Sequence, residues 1–111
     1  MRPEDRTRIF HMIEAAEAVG EFVSGRVRAD LDSDRMLLFA VVRAVEVFGE
    51  AAAKVSRETQ TEIGLVPWPQ IVAMRHRLTH AYFDVNRNIL WKTATEEIPA
   101  LVPVLRELIR P

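Results

Sequence analysis

The sequence predicts an all-α protein: an up-and-down four-helix bundle with one short extra helix and a proline-kinked C-terminal helix. Three observations carry that prediction. Apolar residues recur at spacings of three and four through most of the chain, no run alternates apolar with polar, and the connections of about two to ten residues suit antiparallel helices. A length of 111 residues fits one domain, 1–111, able to bury a core without disulfides or metal. The absence of Cys excludes disulfide staples, thiolate metal sites and a Cys nucleophile. With a net charge of −1, the protein as a whole attracts a polyanion little, so nucleic acid would have to be met by a local basic patch. Arg2, Glu4, Asp5, Arg6 and Arg8 interrupt the apolar run that a secretion signal needs, which predicts a cytoplasmic protein.

In the first segment Ile9, Ile13, Ala16, Val19 and Val23 form one apolar stripe, with His11, Glu14, Glu17 and Glu21 on the wet side. Pro3 suits a first turn, Glu4 and Asp5 suit the positive end of the helix dipole, and Gly25 suits a terminus, predicting a helix over Pro3 to Ser24. Ser33 or Asp34 can cap the next helix. From Met36 to Val55 that helix is apolar almost all round, broken only by a stripe of Arg43, Glu46, Glu50 and Lys54. Four charges exclude a membrane span, so the expectation is core on one side and a dimer contact on another, with the stripe solvated or ion-paired. Glu46 or Glu50 pairing with an Arg across a pocket is the alternative for that stripe. Ser56-Arg57-Glu58-Thr59 opens one or two further turns before Gly64. Val66-Pro67-Trp68-Pro69 is extended, with Pro69 in the first turn of the next helix. Asp84, Asn86 and Asn88 mark a break, with Asn86 or Asn88 as cap. Ile98, Leu101, Val102, Leu105, Leu108 and Ile109 then form a last stripe that Pro99 and Pro103 should kink or split.

The stretch Met74-Arg75-His76-Arg77-Leu78-Thr79-His80-Ala81-Tyr82-Phe83 concentrates the chemistry, with two Arg, two His and a Tyr within eight positions. Its buried side should hold Ile71, Val72, Met74 and Leu78, leaving His76, Arg77 and His80 to face a groove. At about 100° per residue Tyr82 returns to within roughly 20° of Arg75, whereas His80 lies roughly 140° away. Arg75 and His80 therefore converge only if the helix ends there or a second copy contributes.

Three readings compete for these residues. In the plainest, cations decorate the negative end of a helix dipole. In the second, His76, His80 and Asp84, spaced four apart, present two imidazoles and a carboxylate to a metal, although Asp84 falls past the expected helix end and no Glu flanks the His pair as in zinc proteases. In the third, an imidazole moves protons near neutral pH while a guanidinium neutralises charge developing on phosphorus, and RNA supplies its own nucleophile in the ribose 2′-hydroxyl. That site needs no metal, Cys or phosphate loop, which agrees with the residues present and absent.

Arg75, four residues, His80, one residue and Tyr82 together resemble the Arg-x4-His-x-Tyr signature of HEPN-fold toxins of the HepT type. Gly49-Glu50-Ala51, Pro67-Trp68, Asp84-Val85-Asn86, Leu90-Trp91 and Ile98-Pro99-Ala100-Leu101 resemble further landmarks of that family in their usual order, so nearly the whole chain is covered. One departure is His76, where relatives usually carry Asn; it either adds a second acid/base group or retunes or impairs the site.

The resemblance implies a HEPN-like bundle that acts as the toxin of a type VII-like toxin–antitoxin pair, a homodimeric, metal-independent endoribonuclease that needs no cofactor. It makes Arg75 and His80 the catalytic pair; the residues beside them, His76 and Arg77, are candidate auxiliaries. Tyr82 becomes the position at which a minimal nucleotidyltransferase antitoxin attaches AMP. A dimer cleft would also bring Arg75 of one copy near His80 of the other. The alternative is a non-catalytic helical dimer that serves as partner or substrate-presenting subunit of a nucleotidyltransferase, its basic stretch holding only nucleotide phosphates.

Overall fold

The first helix, α1, begins at Pro3, whose fixed φ and missing N–H suit a helix start, and runs to Val23. Gly25, at φ 73°, takes the left-handed turn that reverses the chain. The structure, a computed structural model, describes residues 1–80 and 85–111, and of Thr79 and His80 the backbone alone. As the stripe predicts, Ile9, Ile13, Ala16 and Val19 are buried, joined by Met12. A single turn that the sequence did not announce follows, α2 (Asp30–Ser33). It carries one apolar residue, Leu31, and so has no periodicity to read. The Asp30 carboxylate accepts from Val27 N–H at 2.8 Å, and Leu31 drops into the core with 1% exposure.

Asp34 caps the long helix α3 (Arg35–Lys54), its Oδ1 accepting from Leu37 N–H at 3.0 Å. This helix is the spine. It packs against α1 on one side and α5 (Trp68–His80) on the other, while α7 (Ile98–Leu108) returns along α1. Leu37, Val41, Val45, Phe48 and Ala52 are buried, and the charged stripe is ion-paired, Arg43 to Glu46 at 3.2 Å and Lys54 to Glu50 at 3.5 Å. On its outer side Met36 is 78% and Phe39 55% exposed. The described residues include no strand, and none of their helices is long and apolar enough to cross a membrane.

The connection from α3 to α5 is held at several points. Ser56 caps the short α4 (Arg57–Glu62), and Gln60 Nε2 donates to the carbonyls of Ala52 and Val55 at the end of α3. Trp68, buried at the start of α5, donates its indole N–H to Ile63 O at 2.9 Å. At the other end of α5, Asn86 caps α6 (Arg87–Lys92) by accepting from the N–H groups of Asn88 and Ile89. Arg28 Nε reaches Asn88 Oδ1 at 2.6 Å and ties α6 to the α1–α2 turn.

The prolines are absorbed without ending the helix. Between α6 and α7 the chain makes a π-helical turn, Thr93–Glu97, closed by an Ile98 N–H bond to Thr93 O. A widened turn gives the Pro99 ring room that a regular turn denies it, because the ring crowds the carbonyl four residues earlier. Pro103 lies inside α7, and Ile98 and Leu105 are still buried.

A buried carboxylate fastens α1 to the start of α4. Asp5, expected to serve only the α1 dipole, is 3% exposed and accepts three hydrogen bonds: Ser56 N–H at 2.8 Å, Ser56 Oγ at 2.7 Å and Thr59 Oγ1 at 2.7 Å. Burial raises its pKa, but the hydrogen bonds, aided by the Arg2 charge, outweigh burial and hold it below the ordinary aspartate value of 3.8. A carboxyl whose pKa is depressed on folding adds stability above its unfolded pKa and loses it as pH falls through the folded value. Asp5→Asn should therefore cost about 2 kcal/mol at neutral pH, read by urea denaturation. The gap to wild type should close only as pH drops below 3.8.

Candidate active site

The site is organised by the place where α5 crosses α3. A Cβ built on Gly49 would lie 2.3 Å from the Arg75 Cβ and 3.2 Å from Ile71 O, so only glycine permits this approach. Arg75 is thereby rooted on the inner side of α5, half-buried, with Leu78 fully buried one turn further on. His76 and Arg77 are exposed, as the sequence predicts.

The backbone stays helical through His80, which puts the His80 Cα roughly 140° around the axis from that of Arg75. The helix thus does not bring the two onto one face. The His80 side chain, Tyr82 and Asp84 lie outside the described residues, and with them the alternative metal set of His76, His80 and Asp84.

Arg77 opens onto a cleft between α5 and the C-terminal helical run, about 500 Å³ in volume, whose floor includes Val45 and Phe48 of α3. Met74, Ile98 and Leu101 contribute further apolar wall, and Gln70, Thr93 and Glu97 the polar groups. Arg77, Met74 and Ile89 are shared with an adjoining hollow of about 240 Å³ that reaches Asn86. Arg75 lines neither cavity. Sequence reasoning named Arg77 but missed Thr93 and Glu97, which carry no motif; four residues apart, they lie on one side of the helical run and line the same cleft.

A family model described as Ribonuclease HepT-like matches residues 12–108. A protein of Caldanaerobacter subterraneus subsp. tengcongensis that bears an RNase name is 35% identical over 105 residues, covering 95% of this chain and 94% of its own. A relative from Thermococcus cleftensis, named as a HepT ribonuclease, is 35% identical over 101 residues, 91% of this chain and 92% of its own. An RNase-named protein of Methanocaldococcus jannaschii is 30% identical over 93 residues, 84% and 85% of the two chains. No solved structure matches the chain. Fold and comparisons together define a helical-bundle RNA endonuclease by class. The chain belongs to the HepT-like ribonuclease family.

Because the atom nearest a Gly49 Cβ is the Arg75 Cβ and not the end of a flexible side chain, Gly49→Ala has to move α5 away from α3. The gain in helix propensity, about 1 kcal/mol, is smaller than the strain of overpacking this contact. Gly49→Ala should lower the melting temperature and cut RNA cleavage at least tenfold. The same substitution at Gly20, where nothing lies within 4 Å of the added Cβ, should raise the melting temperature.

Proposed function

We propose that the protein is the toxin of a type VII-like toxin–antitoxin pair, a metal-independent endoribonuclease in which Arg75 and His80 act together across a homodimer. The observation that carries this is the rooting of Arg75 at the Gly49 crossing on a helix that stays regular to His80. Within one chain the pair diverges around the axis, so a symmetric second copy is the arrangement that lets both flank one phosphate. The ribose 2′-oxygen attacks the adjacent phosphorus and the 5′-oxygen leaves. The His80 imidazole carries the proton, and the Arg75 guanidinium neutralises the non-bridging oxygens. Products with 2′,3′-cyclic phosphate and 5′-hydroxyl ends follow.

The apolar outer side of α3, with Met36 and Phe39 exposed, supports the dimer. Light scattering at micromolar concentration should give twice the chain mass, and Phe39→Asp, at an exposed position, should yield a folded monomer with little activity. A monomeric wild type would overturn the shared site.

His80→Ala should lower cleavage by about 10²–10⁴-fold in the presence of chelator, with helicity and melting temperature unchanged. Arg75→Lys should also be damaging, because an ammonium cannot grip two phosphate oxygens as a guanidinium does. Full cleavage by His80→Ala would leave the chain as a non-catalytic subunit of a nucleotidyltransferase.

Inhibition runs through Tyr82. Its phenolic oxygen attacks the α-phosphorus of ATP held by a minimal nucleotidyltransferase, an O–P bond forms, pyrophosphate leaves, and the phenolic proton passes to solvent or a base. The added AMP places an anion beside the motif arginines that otherwise hold RNA. Co-expression with that enzyme should add AMP mass to the tryptic peptide containing Tyr82. Tyr82→Phe should stay toxic and escape neutralisation, and neutralisation equal to wild type would sink this mechanism.

A further inference from the structure

The cleft between α5 and the C-terminal helical run contains a polar group that the fold leaves unused. Thr93 is 7% exposed, lines the cleft, and its hydroxyl has no hydrogen-bond partner among the described residues. Thr7, Thr61 and Thr95 each return their hydroxyl to the carbonyl four residues earlier, and Thr59 donates to Asp5. Thr93 does neither, and it opens the π-helical turn, a widening that recurs at functional sites. Glu97, at the other end of that turn, lines the same cleft, and neither it nor Arg77 makes an ion pair among the described residues.

We propose that this cleft is a nucleobase subsite that selects guanine in the RNA strand next to the scissile phosphate. The proposal rests on the reading of the chain as a ribonuclease acting through α5. A volume of about 500 Å³ accommodates a purine, and Phe48, Met74 and Leu101 give it apolar faces. Arg77, two residues after Arg75 and three before His80, stands at the cleft on the helix that carries the chemistry, placed to hold the phosphate joining that base to the cut.

The polar set decides which base. Guanine alone presents two adjacent N–H donors, at N1 and N2, to one carboxylate, which Glu97 supplies. Adenine and cytosine pair a donor with a lone pair that the carboxylate repels, and uracil sets its single N–H between two carbonyls. The Thr93 hydroxyl, able to donate and accept, then finds its missing partner on the base edge.

The test sequences the cut sites made in a random-sequence RNA pool. Wild type should cut beside guanine. Glu97→Gln and Thr93→Val should each flatten that preference by roughly threefold to tenfold, the worth of one hydrogen bond, while cleavage of the pool persists. Ala73→Trp, at an exposed position lining the cleft, should fill it and remove the preference. Thr93→Val should match or exceed the wild-type melting temperature, which a structural role for the hydroxyl would not allow. In parallel, titrating ¹⁵N-labelled protein with each of the four nucleoside 3′-monophosphates should shift the Ala73, Thr93 and Glu97 amides with the guanosine form foremost, an effect lost in Ala73→Trp. Cutting without a guanine preference, or a preference unchanged in all three variants, would overturn the subsite and leave the ribonuclease reading intact. Absence of cutting would reject that reading, and the titration then decides the subsite alone: no shift in the cleft, or equal shifts from all four nucleotides, overturns it.

Discussion

The approach of α5 to α3 at Gly49 is the constraint on which the rest of the candidate site depends. Helix axes normally stay apart by the thickness of their side chains, and here one side chain is missing where the other helix presents Arg75. Two consequences follow from this contact. The Arg75 stem is fixed against the spine of the bundle, and α5 is set at a rotation in which Leu78 points inward while His76 and Arg77 point out. In the proposed ribonuclease mechanism, where the guanidinium grips phosphate through its fixed fork, rooting its stem limits the entropy lost.

The same packing accounts for the cleft. With α5 held on α3 and α7 held on α1, the two outer helices face each other across a gap floored by Val45 and Phe48. Neither helix can close the gap without leaving its own seat. The segments on either side of α5 are pinned independently, by Asp5 and Trp68 before it and by Asn86 and Arg28 after it. Asp5 and Trp68 thus fix the start of the basic helix, and α6 is fixed in its own right.

Electrostatics is local throughout. The net charge is −1, and most of the ion pairs among the described residues gather on α3 and around the α1–α2 turn, where Arg26, Arg28 and Arg87 meet Asp30, Asp32 and Asp34. Exposed pairs of this kind contribute little to stability. Their value is positional, since the cluster around Asp32 holds the start of α6, the helix that leads into the π turn and Thr93. Asp5 is the contrasting case, a carboxylate out of water whose three hydrogen bonds make it worth more than any of the surface pairs.

Local chemistry determined by sequence alone what local chemistry can. Helical periodicity, the Asp34, Ser56 and Asn86 caps and the Gly25 turn depend on residues within a few positions of one another, and the ordered motifs around Arg75, His80 and Tyr82 carried the family. α2 escaped because one buried Leu has no period, and the π turn because nothing in Thr93–Glu97 differs in composition from a regular helix. Only the tertiary structure decided why Gly49 must be glycine, where the carboxylate of Asp5 goes, and that Arg77 rather than Arg75 meets Thr93 and Glu97 at a cleft. Each of those depends on groups far apart in the chain being brought within a few ångströms. Periodicity reports which face of a helix is buried, and the atom it is buried against is set by how two helices cross.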